Sequence, residues 1–426
     1  MASIAAYTLE VGRDGSTLSG VAGDGTAVFA VFSSAMPAAH STIEALAMSR
    51  LPSPPQGAQP SAQISAPAPV WHSELGGTGG PLVRSGHVVV AALGGTGAVA
   101  GLELRGEPGA AVVALDAATG AVAWKLAIDA TEWSVIAALA AAGDGVLVGG
   151  SFSGTLRIGA RVVSSAGKSD GFVARLTAAG DVAWLVRVGG PGADAIQGVA
   201  SSGDRIAVAG TFAAGADLRG LRLPPYDERS PSADGFVAEL DAAGVPRWAQ
   251  SFGGKTDDAV AGVTIDGQGR VVVAASARDT VHIVGMDLVA NGLADGLIAW
   301  WLPGGGGGTA VLLGGADFDG LRAIAPAGDH VVVGGFYSGS IHLGDRVLTA
   351  RGGDDAFLAV LDASGAVVAS WPVSGEGREE VTALAAIPGG FVAGVTHTAA
   401  AAVGSDALPA PHDPLSGAAI VVRPTR

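Results

Sequence analysis

Asp170-Gly-Phe-Val-Ala-Arg-Leu176, Asp234-Gly-Phe-Val-Ala-Glu-Leu240, Asp295-Gly-Leu-Ile-Ala-Trp-Trp301 and Asp355-Ala-Phe-Leu-Ala-Val-Leu361 are four versions of one segment, spaced 64, 61 and 60 residues apart. An acidic residue followed by a short, almost unbroken apolar run reads as a strand covered on both faces. Its return at a fixed period is the mark of a repeat architecture. After each run comes a turn, ending in Gly in Thr177-Ala-Ala-Gly180, Asp241-Ala-Ala-Gly244 and Asp362-Ala-Ser-Gly365. A second strand follows, often with Trp (Trp71, Trp124, Trp184, Trp248), and it usually ends in a Gly pair, as at 76/77, 189/190, 253/254 and 314/315. Two more strands complete the unit. The first is short and rich in small residues, and the second is Val-rich, as in Val146-Leu-Val-Gly-Gly150 and Val331-Val-Val-Gly-Gly335.

Four strands per unit, labelled a to d from the inside outward, predict an all-β chain folded as a single seven-bladed β-propeller with four antiparallel strands per blade. The expected blades are about 14–77, 78–130, 131–190, 191–254, 255–315, 316–375 and 376–426. The last unit shows only three strands of its own, and residues 3–12 match an outermost strand, so the N-terminal strand is expected to close the last blade and hide both edges. Inner strands that converge on one axis need small side chains. Gly20, Ser85, Ala138, Gly198, Gly262, Ala323 and Ala383 stand at the expected inner position. A period near 60 exceeds the roughly 40 to 50 residues of common propeller repeats. The surplus, as in Thr155-Leu-Arg-Ile-Gly159, Thr280-Val-His-Ile-Val284 and Ser340-Ile-His-Leu-Gly344, falls between strands b and c and predicts an extra turn on each outer rim.

With Asp-Gly-Phe-Val-Ala-Arg-Leu (170–176), Gly-x-x-x-Trp, a Gly pair and Val-Ala-Gly-Thr-Phe (208–212), the chain resembles the bacterial β-propeller repeats of the SBBP type. The likeness spans blades 3 to 6 closely and blades 1, 2 and 7 loosely. It implies a surface or secreted protein and no catalytic residue. The N-terminal residues carry no basic region followed by an apolar run, so the sequence as written reads as cytoplasmic; the resemblance implies export or the cell surface.

Hydrophobic residues make up 49% and charged residues 15%, which argues against disorder. Lys+Arg 24 against Asp+Glu 39 gives a net charge of -15, so nucleic acid is a poor partner. No apolar run is long enough for a membrane helix, and with no Cys there is neither a thiolate nucleophile nor a Cys-ligated metal. A monomer is expected.

Four residues before the inner small position, four consecutive blades carry Asp194, Asp258, Asp319 and Glu379, while the other three carry Ser16, Pro81 and Ser134. Around a channel mouth such acids could bind a cation or a basic peptide; the plainer reading is that each caps backbone N–H groups. Asp317-x-Asp319-Gly is a weak calcium hint, and no other cofactor is expected. An insertion, Pro224-Pro-Tyr-Asp-Glu-Arg-Ser-Pro231, places Tyr226, Asp227 and Arg229 beside that arc as candidate contacts. Gly95-x-Gly97-x-x-Ala100 follows a strand but opens no helix, so it is no dinucleotide motif. The expected function is a non-catalytic binding or scaffold propeller that presents its channel face to a protein or peptide. The alternatives are a lectin-like propeller, which needs an aromatic and polar set in every blade, and an enzyme with a single site at the acidic mouth.

Overall fold

The computed structural model describes residues 7–10, 16–24, 26–34, 40–47, 69–227, 232–404, 406–408 and 417–424, and all regular elements among them are strands. The third unit shows the plan. Trp133–Ala142, Gly145–Ser153, Asp170–Leu176 and Val182–Gly189 form an antiparallel meander. The inner strands Ser16–Gly23, Thr78–Ser85, Trp133–Ala142, Ala195–Ser202, Ala259–Ile265, Asp319–Ala327 and Glu379–Ile387 each begin a sheet of at least four strands. Each packs on the next, and the last packs on the first. In the last sheet Tyr7–Glu10 lies antiparallel to Gly417–Pro424, with Tyr7 opposite Val422 and Glu10 opposite Ala419.

The expectation of equal four-stranded blades is corrected by this topology, because three of the sheets have six strands. The surplus between strands b and c forms a hairpin that adds to the outer strand of the preceding sheet. Thr155–Ile158 pairs with Val122–Ala130, Ala216–Leu218 with Val182–Gly189, and Ala401–Val403 with Val367–Gly375. Two further hairpins, beginning at Thr280 and Ser340, reach their neighbours through single bridges, Gly253 to His282 and Gly315 to Ile341. Leu156, Ile158, Val281, Ile283, Ile341 and Leu343 are buried there. The long period therefore covers outer edges that would otherwise stay open to pairing.

A second correction concerns the inner strand of the second sheet. Every inner strand carries a bulge, and in six of them the residue after it is the small one expected: Gly20, Ala138, Gly198, Gly262, Ala323 and Ala383. In Thr78–Ser85 the shift lies between Gly79 and Leu82, so Leu82 takes that place. Pro81 has no N–H to give to the ladder, which passes over Gly80 and Pro81. Ser85 ends the strand instead, and its Oγ donates to the Gly145 carbonyl at 2.9 Å. Thr78, not Pro81, then holds the first position of that inner strand.

Strands b and c are buried on both faces, as in Val88–Leu93 and throughout Asp295–Trp301, and the core lies as apolar slabs between neighbouring sheets. The outer strands are tied by the Trp series. The Nε1 atoms of Trp71, Trp124 and Trp184 donate to the carbonyls of Ala117, Ala178 and Ala242, in the next sheet's c–d turn, at 2.9, 2.9 and 3.0 Å. Each ring lies flush against the Gly that ends that turn (Gly120, Gly180, Gly244), where a Cβ would strike the indole. The Trp and the Gly-ended turn are two halves of one contact between neighbours.

Candidate functional site

The four acidic positions do not gather at the mouth. Asp194, Asp258, Asp319 and Glu379 are each at most 3% exposed. Each folds back at a junction between two sheets. The Gly190, Gly254 and Gly315 N–H groups donate to Asp194, Asp258 and Asp319 at 2.6, 3.0 and 2.6 Å. The facing group is the Asp that starts strand c of the preceding sheet, which accepts backbone N–H groups in turn: Ala166 to Asp170, Tyr226 to Asp234, Asn291 to Asp295 and Arg351 to Asp355. The acids thus come in pairs, 170/194, 234/258, 295/319 and 355/379, one pair to a junction.

This arrangement accounts for the Gly pairs. A Cβ on Gly189, Gly253 or Gly314 would run into the carboxyl of Asp170, Asp234 or Asp295, and one on Gly190, Gly254 or Gly315 would run into the carbonyl of the neighbouring b–c connection. The first Gly makes room for one acid, and the second donates its N–H to the other.

Burial sets the protonation. It pushes Asp258 up to about 7, with the charges of Asp234 and Asp257 adding to the effect. Burial likewise pushes Asp319 up to about 7, aided by Asp295, and Asp194 up to about 6 against the N–H groups of Gly190 and Ala213. Asp234 and Asp295 move upward for the same reason, and Glu379 rises through burial and the adjacent Asp355. At 170/194 an arginine joins the pair: Arg187 Nη1 lies 2.5 Å from Asp170 Oδ2. At the other three junctions an oxygen of each acid is buried without a partner (Asp234, Asp258, Asp295, Asp319, Asp355, Glu379), which is the place a shared proton fills.

Removing the cation should therefore expose the difference. Arg187→Met is expected to cost about 2 kcal/mol at pH 8 and less at pH 5, because the buried pair then lacks its cation and Asp194, raised by burial and held down in part by Arg187, takes up a proton more readily. Urea denaturation at the two pH values checks it, and equal losses at both would contradict the assignment.

Asp317 and Asp319, the two residues behind the calcium expectation, lie in different surroundings. Among the described residues no group of three or more His, Asp or Glu side chains is placed to hold a metal ion. Asp317 is exposed while Asp319 is turned into its junction. Asp227 lies close enough to Asp234 to raise its pKa. Tyr226 is 49% exposed, with its ring 6.0 Å from that of His282. Arg229 lies outside the described residues.

What does meet at the mouth is a set of arginines and aromatic rings. In six of the inner strands the bulge turns one extra residue toward the axis. Ala137, Gln197, Ala261 and Arg322 hold that place in four successive sheets and line one groove of about 400 Å³ together with Arg278 and Phe318. An adjoining groove of about 380 Å³ shares Phe318, Arg322 and Phe336 and adds Arg378 and Glu380. The groups form a ladder. The Arg278 guanidinium lies 5.9 Å over the Phe318 ring, Phe318 and Phe336 are 5.6 Å apart, and Arg322 lies 4.7 Å over Phe336. Arg322 also pairs with Glu380, and Arg378 pairs with Asp354. Arg278 has no ion-pair partner among the described residues. The opposite end of the channel is different: a cavity of about 310 Å³ is lined mainly by apolar residues such as Leu82, Leu139, Val199 and Ile324.

Sequence reasoning missed this cluster because it occurs once. At the position of Phe318 the neighbouring sheets have Ala193, Asp257 and Arg378, so aligning the repeats averages it away. The usable signal is the residue just before the small inner position, where Gln197 and Arg322 stand out against Ser19, Ala137 and Ala261.

No family model matches the chain, and no curated protein matches it. Among solved structures it is similar to BamB from Moraxella catarrhalis (14% identity, TM-score 0.41, covering 95% of this chain and 84% of that one). It is also similar to the Pan2 WD40 domain of Neurospora crassa (9%, 0.43, 82% and 90%) and to a PL25 ulvan lyase (11%, 0.48, 91% and 92%). Likenesses of this size carry no argument about function.

Proposed function

We propose that this protein is a non-catalytic binding or scaffold propeller that presents its channel face to a protein or peptide partner. The observation that carries the reading is the ladder at the mouth, where Phe318, 38% exposed, stands among three exposed arginines over two shallow grooves. Aromatic and Arg side chains are the residue types that dominate protein-binding surfaces. A lectin-like propeller would repeat its aromatic and polar set in each sheet, and this set occurs once. Asp194, Asp258 and Asp319 are engaged with backbone N–H groups, which favours a structural role for them over catalysis. On the residues that carry the resemblance, we further propose kinship with the SBBP-type repeats.

The test is peptide display against the wild-type protein, with each enriched peptide re-measured on Phe318→Ala combined with Arg322→Ala. The expected loss is at least about tenfold. Peptides that bind the double variant as well as the wild type place the partner elsewhere and end the reading.

A further inference from the structure

We propose that the mouth binds an acidic peptide segment, seating a carboxylate on Arg278 and an adjacent apolar side chain against Phe318. This rests on the channel-face reading above and gives the partner a chemistry. Charge singles out the residue. Of the three arginines at this mouth, Arg322 and Arg378 are compensated, by Glu380 and Asp354. Arg278 is the exception. It is exposed, its head lies over an aromatic face, and no carboxylate lies within ion-pair reach among the described residues. The acid that it does feel is Asp258, which is sunk in its junction and held to a proton into the neutral range by burial. A guanidinium already oriented by a ring loses little freedom on taking a carboxylate, and its planar fork fits one.

The apolar half of the site adjoins it. Val260 and Leu321 line the same groove as Arg278 and Phe318, so a ligand that meets the arginine also meets apolar surface. A peptide fits this better than an acidic sugar does. A pyranose needs an open aromatic face to stack on, and Arg278 occupies a face of Phe318 while Phe336 packs close beside that ring.

The experiment is fluorescence anisotropy with two labelled nine-residue peptides, one alternating Glu and Leu and the other alternating Lys and Leu. The wild type, Arg278→Ala, Phe318→Ala and the exposed rim variant Arg161→Ala are compared, with thermal midpoints recorded for each. The Glu-Leu peptide is expected to bind and the Lys-Leu peptide not. Arg278→Ala and Phe318→Ala should each weaken binding about tenfold, and Arg161→Ala should leave it unchanged. Equal binding of both peptides overturns the inference, as does an Arg278→Ala effect no larger than that of Arg161→Ala. An oligogalacturonate that displaces the peptide and binds more tightly than it does would overturn the choice of a peptide. Display that selects basic or neutral peptides lost on the Phe318 and Arg322 double variant would uphold the channel-face reading while defeating this one.

Discussion

Gly335→Ala is expected to cost about 3 kcal/mol of stability or more, read as a lowered midpoint in urea with little change in slope. Gly335 lies in a strand b, opposite Leu321 of its inner strand, and a Cβ built on it would land on the Gly320 carbonyl oxygen. Gly150 and Gly210 stand in the same position in other sheets and face the Val135 and Ala195 carbonyls in the same way. Each of these strands is also flanked by a strand-c phenylalanine, so the backbone cannot move aside: the Phe172 and Phe236 rings lie against Gly150 and Gly210. The inner strand would have to shift away and give up its ladder with strand b at this point. Gly203→Ala is the control. Its φ of 63 lies in the left-handed region, but a Cβ there meets nothing within 4 Å, so the expected cost is only about 1 kcal/mol. Equal losses for the two variants would refute close packing as the cause.

The second large effect is on pH. Because burial raises the carboxyl pKa values of Asp194, Asp258 and Asp319 to about 6, 7 and 7, the folded protein binds more protons than the unfolded chain above the ordinary carboxylate range. For such groups the stabilisation is fully present below the unfolded value near 4 and is lost as pH rises through 6 to 7. A tenfold difference in proton affinity between folded and unfolded chain is worth about 1.4 kcal/mol, so Asp258 and Asp319, once solvent screening is discounted, each account for about 2 kcal/mol between pH 5 and pH 8. The opposite sign applies to Asp24. Against the burial that would raise it, hydrogen bonds from Thr26, Ala27 and Arg84 hold it down to about 2, so its share is present above its unfolded value and fades as pH falls toward 2. The thermal midpoint should therefore be higher at pH 5 than at pH 8 and should drop again in strong acid. Asp258→Asn keeps the shape, removes the charge and supplies an N–H toward Asp234; it is expected to stabilise at pH 8 and to flatten the slope. A midpoint that rises steadily from pH 5 to pH 8 in the wild type would contradict the account of the junctions.

How far the primary structure reveals these features depends on whether they repeat. The strand-c segments beginning at Asp170, Asp234, Asp295 and Asp355 are legible because the same burial pattern recurs from sheet to sheet, and the closing strand, described at Tyr7–Glu10, is legible because the last unit shows only three strands of its own. So is the surplus between strands b and c, although its pairing with the preceding sheet is not, since hydrogen bonding between units leaves no periodic trace. Pro81 displaced the register of the second sheet because a bulge two residues wide looks the same, in one dimension, as a longer strand. The acids were visible as two separate columns. They become one feature only when the columns are read together: the three junctions without an acid at the start of strand c, which have His40, Gly109 or Gly417 there, also lack one at the start of the following inner strand, where Thr78, Ser134 or Ser16 stands. The mouth stayed hidden for the opposite reason, since Phe318 and Arg278 belong to no column.

One consequence concerns how the chain comes to be folded at all. Tyr7 and Val422, partners across a single ladder, stand 415 positions apart (422 − 7). Joining them closes all the sheets between them into one loop, with an entropic cost that grows only as the logarithm of its length. During synthesis the intervening sheets can assemble as they leave the ribosome, but the seam waits for Gly417–Pro424, so Tyr7–Glu10 has no ladder partner until that strand has been made.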